Sequence, residues 1–129
     1  MANVPNDLRY TADHEYLRAD SDPAVFIVGI TDYAQGELGD VVFVNLPKPG
    51  DAIAAHQAFG TIEAVKAVAD LYAPIAGTVI AVNTALDADP GAVNRDPYGD
   101  GWMVKLKADN PADLAGLLAP DAYQAHIGG

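Results

Sequence analysis

Lys66, in "TIEAVKAVADLYAP" at residues 61 to 74, is the only Lys or Arg between Lys48 and Arg95. Its neighbours are mostly Ala and Val, small side chains that leave an amine accessible, and neither packing nor solubility requires a lysine there. Such a residue is a candidate for recognition by another enzyme. Other reactive types are scarce. The chain has no Cys, so it has no thiol nucleophile, disulfide or thiolate metal site, and any redox sulfur chemistry must be imported. Ser occurs once, at Ser21 in the turn-like "ADSDPA", without the neighbouring His and elbow sequence that activate a hydroxyl nucleophile. His14, His56 and His126 are scattered and predict no metal site. The glycines of "PGAVNRDPYGDG" lack phosphate-loop spacing and a Lys-Ser or Lys-Thr pair, which predicts a structural turn and no nucleotide site.

The elements that must position Lys66 belong to a chain of 129 residues, the length of one domain. With 7 Lys plus Arg against 18 Asp plus Glu, the formal charge of -11 argues against nucleic acid or an anionic membrane surface as a partner and favours proteins with basic patches. Half the residues are hydrophobic, yet no apolar run approaches the roughly 20 residues of a membrane span. "MANVPNDLRY" carries neither a secretory signal nor an organelle presequence pattern. The expectation is a cytoplasmic prokaryotic protein, or a mature mitochondrial chain from which a presequence was removed.

Short apolar segments punctuated by Gly and Pro predict a mainly β fold, a sandwich or barrel. "YTADHEYL", 10 to 17, reads as one edge strand and "AVFIVGI", 24 to 30, as a buried strand. Thr31 reads as the N-cap of a two-turn helix with Asp32 in its first turn and Gly39 as its stop. "DVVFVNLP", 40 to 47, and "GTVIAVN", 77 to 83, are further strands. "WMVKLKA", 102 to 108, is predicted to set Trp102, Val104 and Leu106 on one face, with Trp102 as a core anchor, and Met103, Lys105 and Lys107 on the other. "DADPGAVNRDPYGDG" between them is a loop by composition. Asn110 and Pro111 begin a helical piece, and Pro120 begins a second through His126, so the C-terminus is expected to pack as helix on a β core.

Residues 61 to 72 alone favour helix by propensity. Gly60 before them and Pro74 and Gly77 after them favour a hairpin with arms 62 to 65 and 67 to 71 and Lys66 at or beside its tip. That tip lacks the Asn-Gly or Asp-Gly pair that hairpins commonly use.

"EAVKAVADLYAP" resembles the lysine motif of the H proteins of the glycine cleavage system, in which Glu-Ser-Val-Lys-Ala is followed by one variable residue, then Ser-Asp-Leu-Tyr and Pro. Glu63, Val65, Lys66, Ala67, Asp70, Leu71, Tyr72 and Pro74 fit, whereas Ala64 and Ala69 replace the two usual Ser residues. "DLRYTADHEYLR", with Tyr16 where Trp is common, "VGITDYAQGELGDVVFVNLPKPGD" and "VNRDPYGDGWMVKLK" extend the resemblance over nearly the whole chain.

The resemblance implies a flattened β sandwich of the lipoyl/biotinyl type with a short internal helix and a C-terminal helix, one carrier domain over 1–129 with a helical extension at about 110–126. It implies lipoic acid in amide linkage to Lys66, with Glu63, Val65 and Ala67 as its recognition surroundings. The implied function is that of a carrier substrate with no catalytic residues of its own. Glycine decarboxylase loads an aminomethyl group, aminomethyltransferase passes its carbon to tetrahydrofolate, dihydrolipoyl dehydrogenase reoxidises the dithiol, and lipoate-attaching enzymes install the arm. Glu15 and Asp70 are implied to line a cleft that shelters the loaded amine. Alternatives left open are a lipoyl relay to other proteins and a non-carrying interaction module. A 2-oxoacid dehydrogenase lipoyl domain would bring linkers to further domains, and a biotin carrier would favour Met where Val65 and Ala67 stand.

Overall fold

The computed structural model describes residues 3–128. Strands run in chain order as β1 (Arg9–Tyr10), β2 (Glu15–Ala19), β3 (Val25–Ile30), β4 (Val41–Asn45), β5 (Ala52–Ile53), β6 (Ala58–Ala64), β7 (Val68–Tyr72), β8 (Gly77–Val82) and β9 (Val104–Ala108). Helices α1 (Asp32–Leu38), α2 (Ala85–Ala88), α3 (Ala92–Arg95) and α4 (Pro120–His126) are all short, and a 3-10 segment spans Pro111–Gly116. The strands form a six-stranded sheet in the order β1-β2-β3-β9-β8-β5 and a three-stranded sheet, β4-β6-β7. Every named pairing is antiparallel.

Alternation explains how the sheets join. Phe26, Val28 and Ile30 of β3 and Leu106 of β9 enter one apolar cluster with Val41 and Val44 of β4, Ile62 of β6 and Leu71 of β7. Each such side chain, fully buried, contributes roughly 1.5–3 kcal/mol. A second cluster of Leu8, Tyr10, Tyr16 and Tyr123 fastens α4 to the β1–β2 end of the larger sheet. There the Tyr10 and Tyr123 rings stack with centroids 4.6 Å apart. Tyr16 lies across from Gly29, where a Cβ would stand within 2.9 Å of three Tyr16 ring and hydroxyl atoms, so glycine makes room for the ring. Among the described residues no helix is long and apolar enough to cross a membrane.

The predicted strands at 24–30, 40–47, 77–83 and 102–108 appear as β3, β4, β8 and β9. The predicted helix is α1, with the Thr31 hydroxyl accepting from Ala34 N at 3.2 Å and Gly39 ending it at φ 82°. Other expectations are corrected. Residues 10–17 are not one strand: the chain turns between β1 and β2 through His14 at φ 71°, a left-handed position that His tolerates better than branched residues. The "DADPGAVNRDPYGDG" stretch is not all loop, because α3 and the end of α2 fall in it. Single helical turns are too short for periodicity to reveal. Met103 is fully buried, since it precedes β9 and the pleat does not dictate its direction. Trp102 is only half-buried, with the Lys105 ammonium 6.0 Å from its ring, and is no core anchor. The piece beginning at Pro111 is 3-10 rather than α, capped by Asn110 through Ala112 N at 3.2 Å.

Candidate functional site

Lys66 stands at the apex of the β6–β7 hairpin. Ile62 pairs with Ala69 and Glu63 with Val68, leaving Val65, Lys66 and Ala67 to make the turn. The helical propensity of this stretch loses because β6 is also paired on its other side with β4, and long-range ladder bonds override local preference. Val65 and Lys66 both keep negative φ, so the turn is not of the Asn-Gly kind. It closes through Ala64 N donating to Ala67 O at 2.8 Å and through an outside partner, Val65 N donating to Asp40 O at 3.0 Å. That second bond fixes the tip to the corner between α1 and β4. Lys66 is exposed, as are Glu63 and Ala67. Val65 and Val68 are 75% and 67% exposed, an apolar flank that no element of the fold covers.

The lysine stem lies against the end of α1. A Cβ built on Gly39 would sit 3.1 Å from Lys66 Cε and 3.6 Å from Cδ, a contact the exposed lysine chain could relieve by moving, so it is the backbone at φ 82° that calls for glycine. Leu38, the residue before it, lines a cleft of about 270 Å³ together with Glu15, Asp70, Tyr33, Ile62 and Leu71. The cleft therefore opens beside the hairpin, next to the path of the lysine stem.

Glu15 and Asp70 both reach this cleft, from opposite sheets. Glu15 is 2% exposed. The Thr11 hydroxyl donates to its Oε1 at 2.8 Å, and Tyr72 N approaches Oε2 at 3.4 Å. Loss of solvent dominates over these hydrogen bonds, and the carboxyl is pushed up to about 8. Asp70 is exposed at the rim, with the Tyr72 hydroxyl 3.5 Å from its Oδ2. His14 also lines the cleft, sharing a 2.9 Å hydrogen bond between Nδ1 and the Tyr123 hydroxyl. Burial and then the His126 imidazole, ring centroids 5.6 Å apart, lower its pKa. Two of the three histidines thus meet, whereas among the described residues no three His, Cys, Asp or Glu gather to hold a metal ion.

Sequence reasoning missed Thr11, Gly39 and Asn94 as parts of this site. Thr11 N donates to Glu15 O and its hydroxyl accepts from Glu15 N, a local pattern that recognising the turn at residues 11–14 would have exposed. Asn94 contacts Gln35, Gly39 and Val41, 53 to 59 residues away in sequence, and no local signal announces such contacts.

Comparison with known proteins gives this geometry a family. The model of the family described as "Glycine cleavage H-protein" matches residues 8–128. The glycine cleavage system H protein of Chlorobaculum parvum is 56% identical over 126 residues, covering 98% of both chains. That of Opitutus terrae is 55% identical over 128 residues, covering 99% of this chain and all of its own. The crystal structure of a glycine cleavage system H protein from Mycobacterium marinum superposes with a TM-score of 0.89 at 38% identity, covering 98% of this chain and 100% of that one. This likeness establishes the two-sheet architecture as the lipoyl-domain type of sandwich. The chain belongs to the glycine cleavage H-protein family, whose members serve the glycine cleavage system as lipoyl carriers rather than as catalysts.

Proposed function

We propose that Lys66 is the residue through which this chain carries lipoic acid, and that Glu15 and Asp70 receive the carried amine in the adjoining cleft. The observation that carries this reading is an exposed lysine at a hairpin apex beside a cleft that joins apolar walls to carboxyl groups. The residues fit the group. A tip amine can enter an acylating enzyme's site, Ile62, Leu38 and Leu71 offer an apolar lining, and the carboxyl groups suit a cation. When bound, the dithiolane supplies the sulfurs that take up a one-carbon amine and alternate between disulfide and dithiol.

The chain's own residues position and shelter. Lys66 tethers, raising effective concentration at the cleft to the order of mM for a short flexible link. Glu15 is largely protonated at neutral pH in the free cleft; an incoming ammonium favours its ionised form, the proton passes to solvent, and the carboxylate holds the cation by a charge-assisted bond. Asp70 offers a second carboxylate at the rim. Glu63, Val65 and Ala67 surround Lys66 as the surface an attaching enzyme reads.

The carrier unit spans 1–129, with 110–126 as an extension held by the Tyr10–Leu118 bridge and Tyr123. Its partners are glycine decarboxylase, aminomethyltransferase, dihydrolipoyl dehydrogenase and a lipoate-attaching enzyme. The formal charge of -11 suits basic docking faces on them. The bacterial relatives support the bacterial cytoplasm as its place of action.

Glycine-dependent carbon dioxide exchange with added glycine decarboxylase tests the assignment. After treatment with lipoate ligase, lipoate and ATP, the wild-type chain supports exchange and Lys66→Arg reduces it at least about 100-fold, a loss of roughly 2.7 kcal/mol or more in apparent transition-state stabilisation. Equal exchange by the two proteins overturns the role of Lys66.

A further inference from the structure

Three consecutive residues, Gly39 to Val41, form the corner on which the lysine-bearing tip rests, and one side chain from elsewhere in the chain holds that corner at both ends. Asn94, in the single turn α3, accepts from Val41 N through Oδ1 at 2.8 Å. Its Nδ2 donates to Gly39 O at 2.8 Å and to Gln35 Oε1 at 3.0 Å. The amide orientation is fixed by chemistry, since exchanging its O and N would set oxygen against the Gly39 carbonyl and nitrogen against the Val41 N–H. Between these two anchors lies the Asp40 carbonyl, which accepts the Val65 N–H of the tip. Val41 also pairs with Ala64, the last residue of β6 before the turn. Gly39 carries the Lys66 stem.

We propose that Asn94 is the positioning residue of the carrier lysine: by bonding Gly39 and Val41 it sets the Asp40 carbonyl that seats Val65, and so fixes where Lys66 presents its amine to the enzyme that attaches the arm. The proposal rests on the reading of Lys66 as the modified residue and adds the means by which the chain prepares that residue. The tip has no left-handed turn residue to stiffen it, and beyond the Ala64 N to Ala67 O bond that closes it, the Asp40 contact is what ties it to the rest of the fold. Release of the corner spreads the tip over several conformations, of which an attaching enzyme can use a fraction. Apparent affinity then falls by that fraction, whereas turnover from the assembled complex does not.

The test uses the full chain with lipoate ligase, lipoate and ATP, following amide formation at Lys66 by mass. Asn94→Ala raises the KM for the chain about tenfold with kcat within about twofold. Asn94→Asp, which keeps the acceptor for Val41 but turns oxygen to Gly39 O, shows the same split. The neighbouring exposed Arg95→Ala, which leaves these bonds intact, matches wild type. Hydrogen exchange adds a readout that general loosening would not give: in Asn94→Ala the Val65 amide exchanges at least about tenfold faster while the amides of β3 keep their protection. An unchanged KM with an unchanged Val65 amide overturns the proposal, as does loss of protection in both sheets together. A wild-type chain that takes no lipoate at Lys66 overturns the reading of Lys66 itself, and the Val65 amide still decides whether Asn94 seats the tip.

Discussion

Glu15 holds a proton in the folded chain up to about pH 8, whereas its ordinary carboxyl value is 4.5. Between those values the unfolded state binds fewer protons than the folded state, so stability falls as pH rises, by up to roughly 1.4 kcal/mol per unit. The cost is absent below the lower value and complete above the upper one. Glu15→Gln, which keeps the shape and removes the titration, should flatten this part of the pH dependence. Chemical denaturation of both proteins from about pH 5 to about pH 8 checks it, and parallel curves would contradict the burial of an ionisable group. The same proton bears on sheltering. Capture of an ammonium requires the carboxylate, so protection of the loaded amine should improve as pH rises towards 8 in wild type and lose that dependence in Glu15→Gln. The lifetime of the loaded arm at several pH values measures this.

The elements show which signals survive in a single sequence. Strands such as β3 and β8, dense in β-branched residues and bounded by Gly or Pro, were legible, as was α1 through Thr31 and Gly39. The hairpin was legible from its punctuation although its composition favours helix. The turn at His14 was not, because "YTADHEYL" alternates well enough to pass as strand, and the single turns α2 and α3 are shorter than one helical repeat can signal. At the site, Lys66 stands out as an isolated lysine, but Glu15 and Asp70 are ordinary acids until a fold brings them to one cleft, and only the family resemblance singled them out. Asn94 depends wholly on tertiary contacts. A prediction at this scale concerns Thr31, which is fully buried, caps α1 and shares a 2.7 Å hydrogen bond with the Tyr123 hydroxyl. Thr31→Ala removes the cap and one of the two partners of the Tyr123 hydroxyl, which keeps its bond with His14 Nδ1, and costs about 2 kcal/mol, whereas Thr31→Ser should cost less than about 1. Urea midpoints of the two variants separate these outcomes; equal midpoints would contradict the capping role.

Taken whole, the molecule is a two-sheet carrier whose C-terminal helix is bolted to the far end of the larger sheet by a cluster of tyrosines. Tyr123 is fully buried there, and Tyr123→Ala should destabilise the fold by about 3–5 kcal/mol, as aromatic truncations in packed cores do. Thermal unfolding followed by far-ultraviolet circular dichroism measures the loss. The charge of -11 acts over the entire surface, so added salt should slow glycine exchange with glycine decarboxylase more than it changes the unfolding midpoint. All of this bears on the attachment proposed for Lys66. The most direct measurement is the peptide mass map of the protein isolated from its native host while glycine cleavage is active: a lipoyl-sized increase on the peptide containing Lys66 is the result expected, and an unmodified Lys66, or a lipoyl group on Lys48, Lys105 or Lys107 instead, would contradict the account.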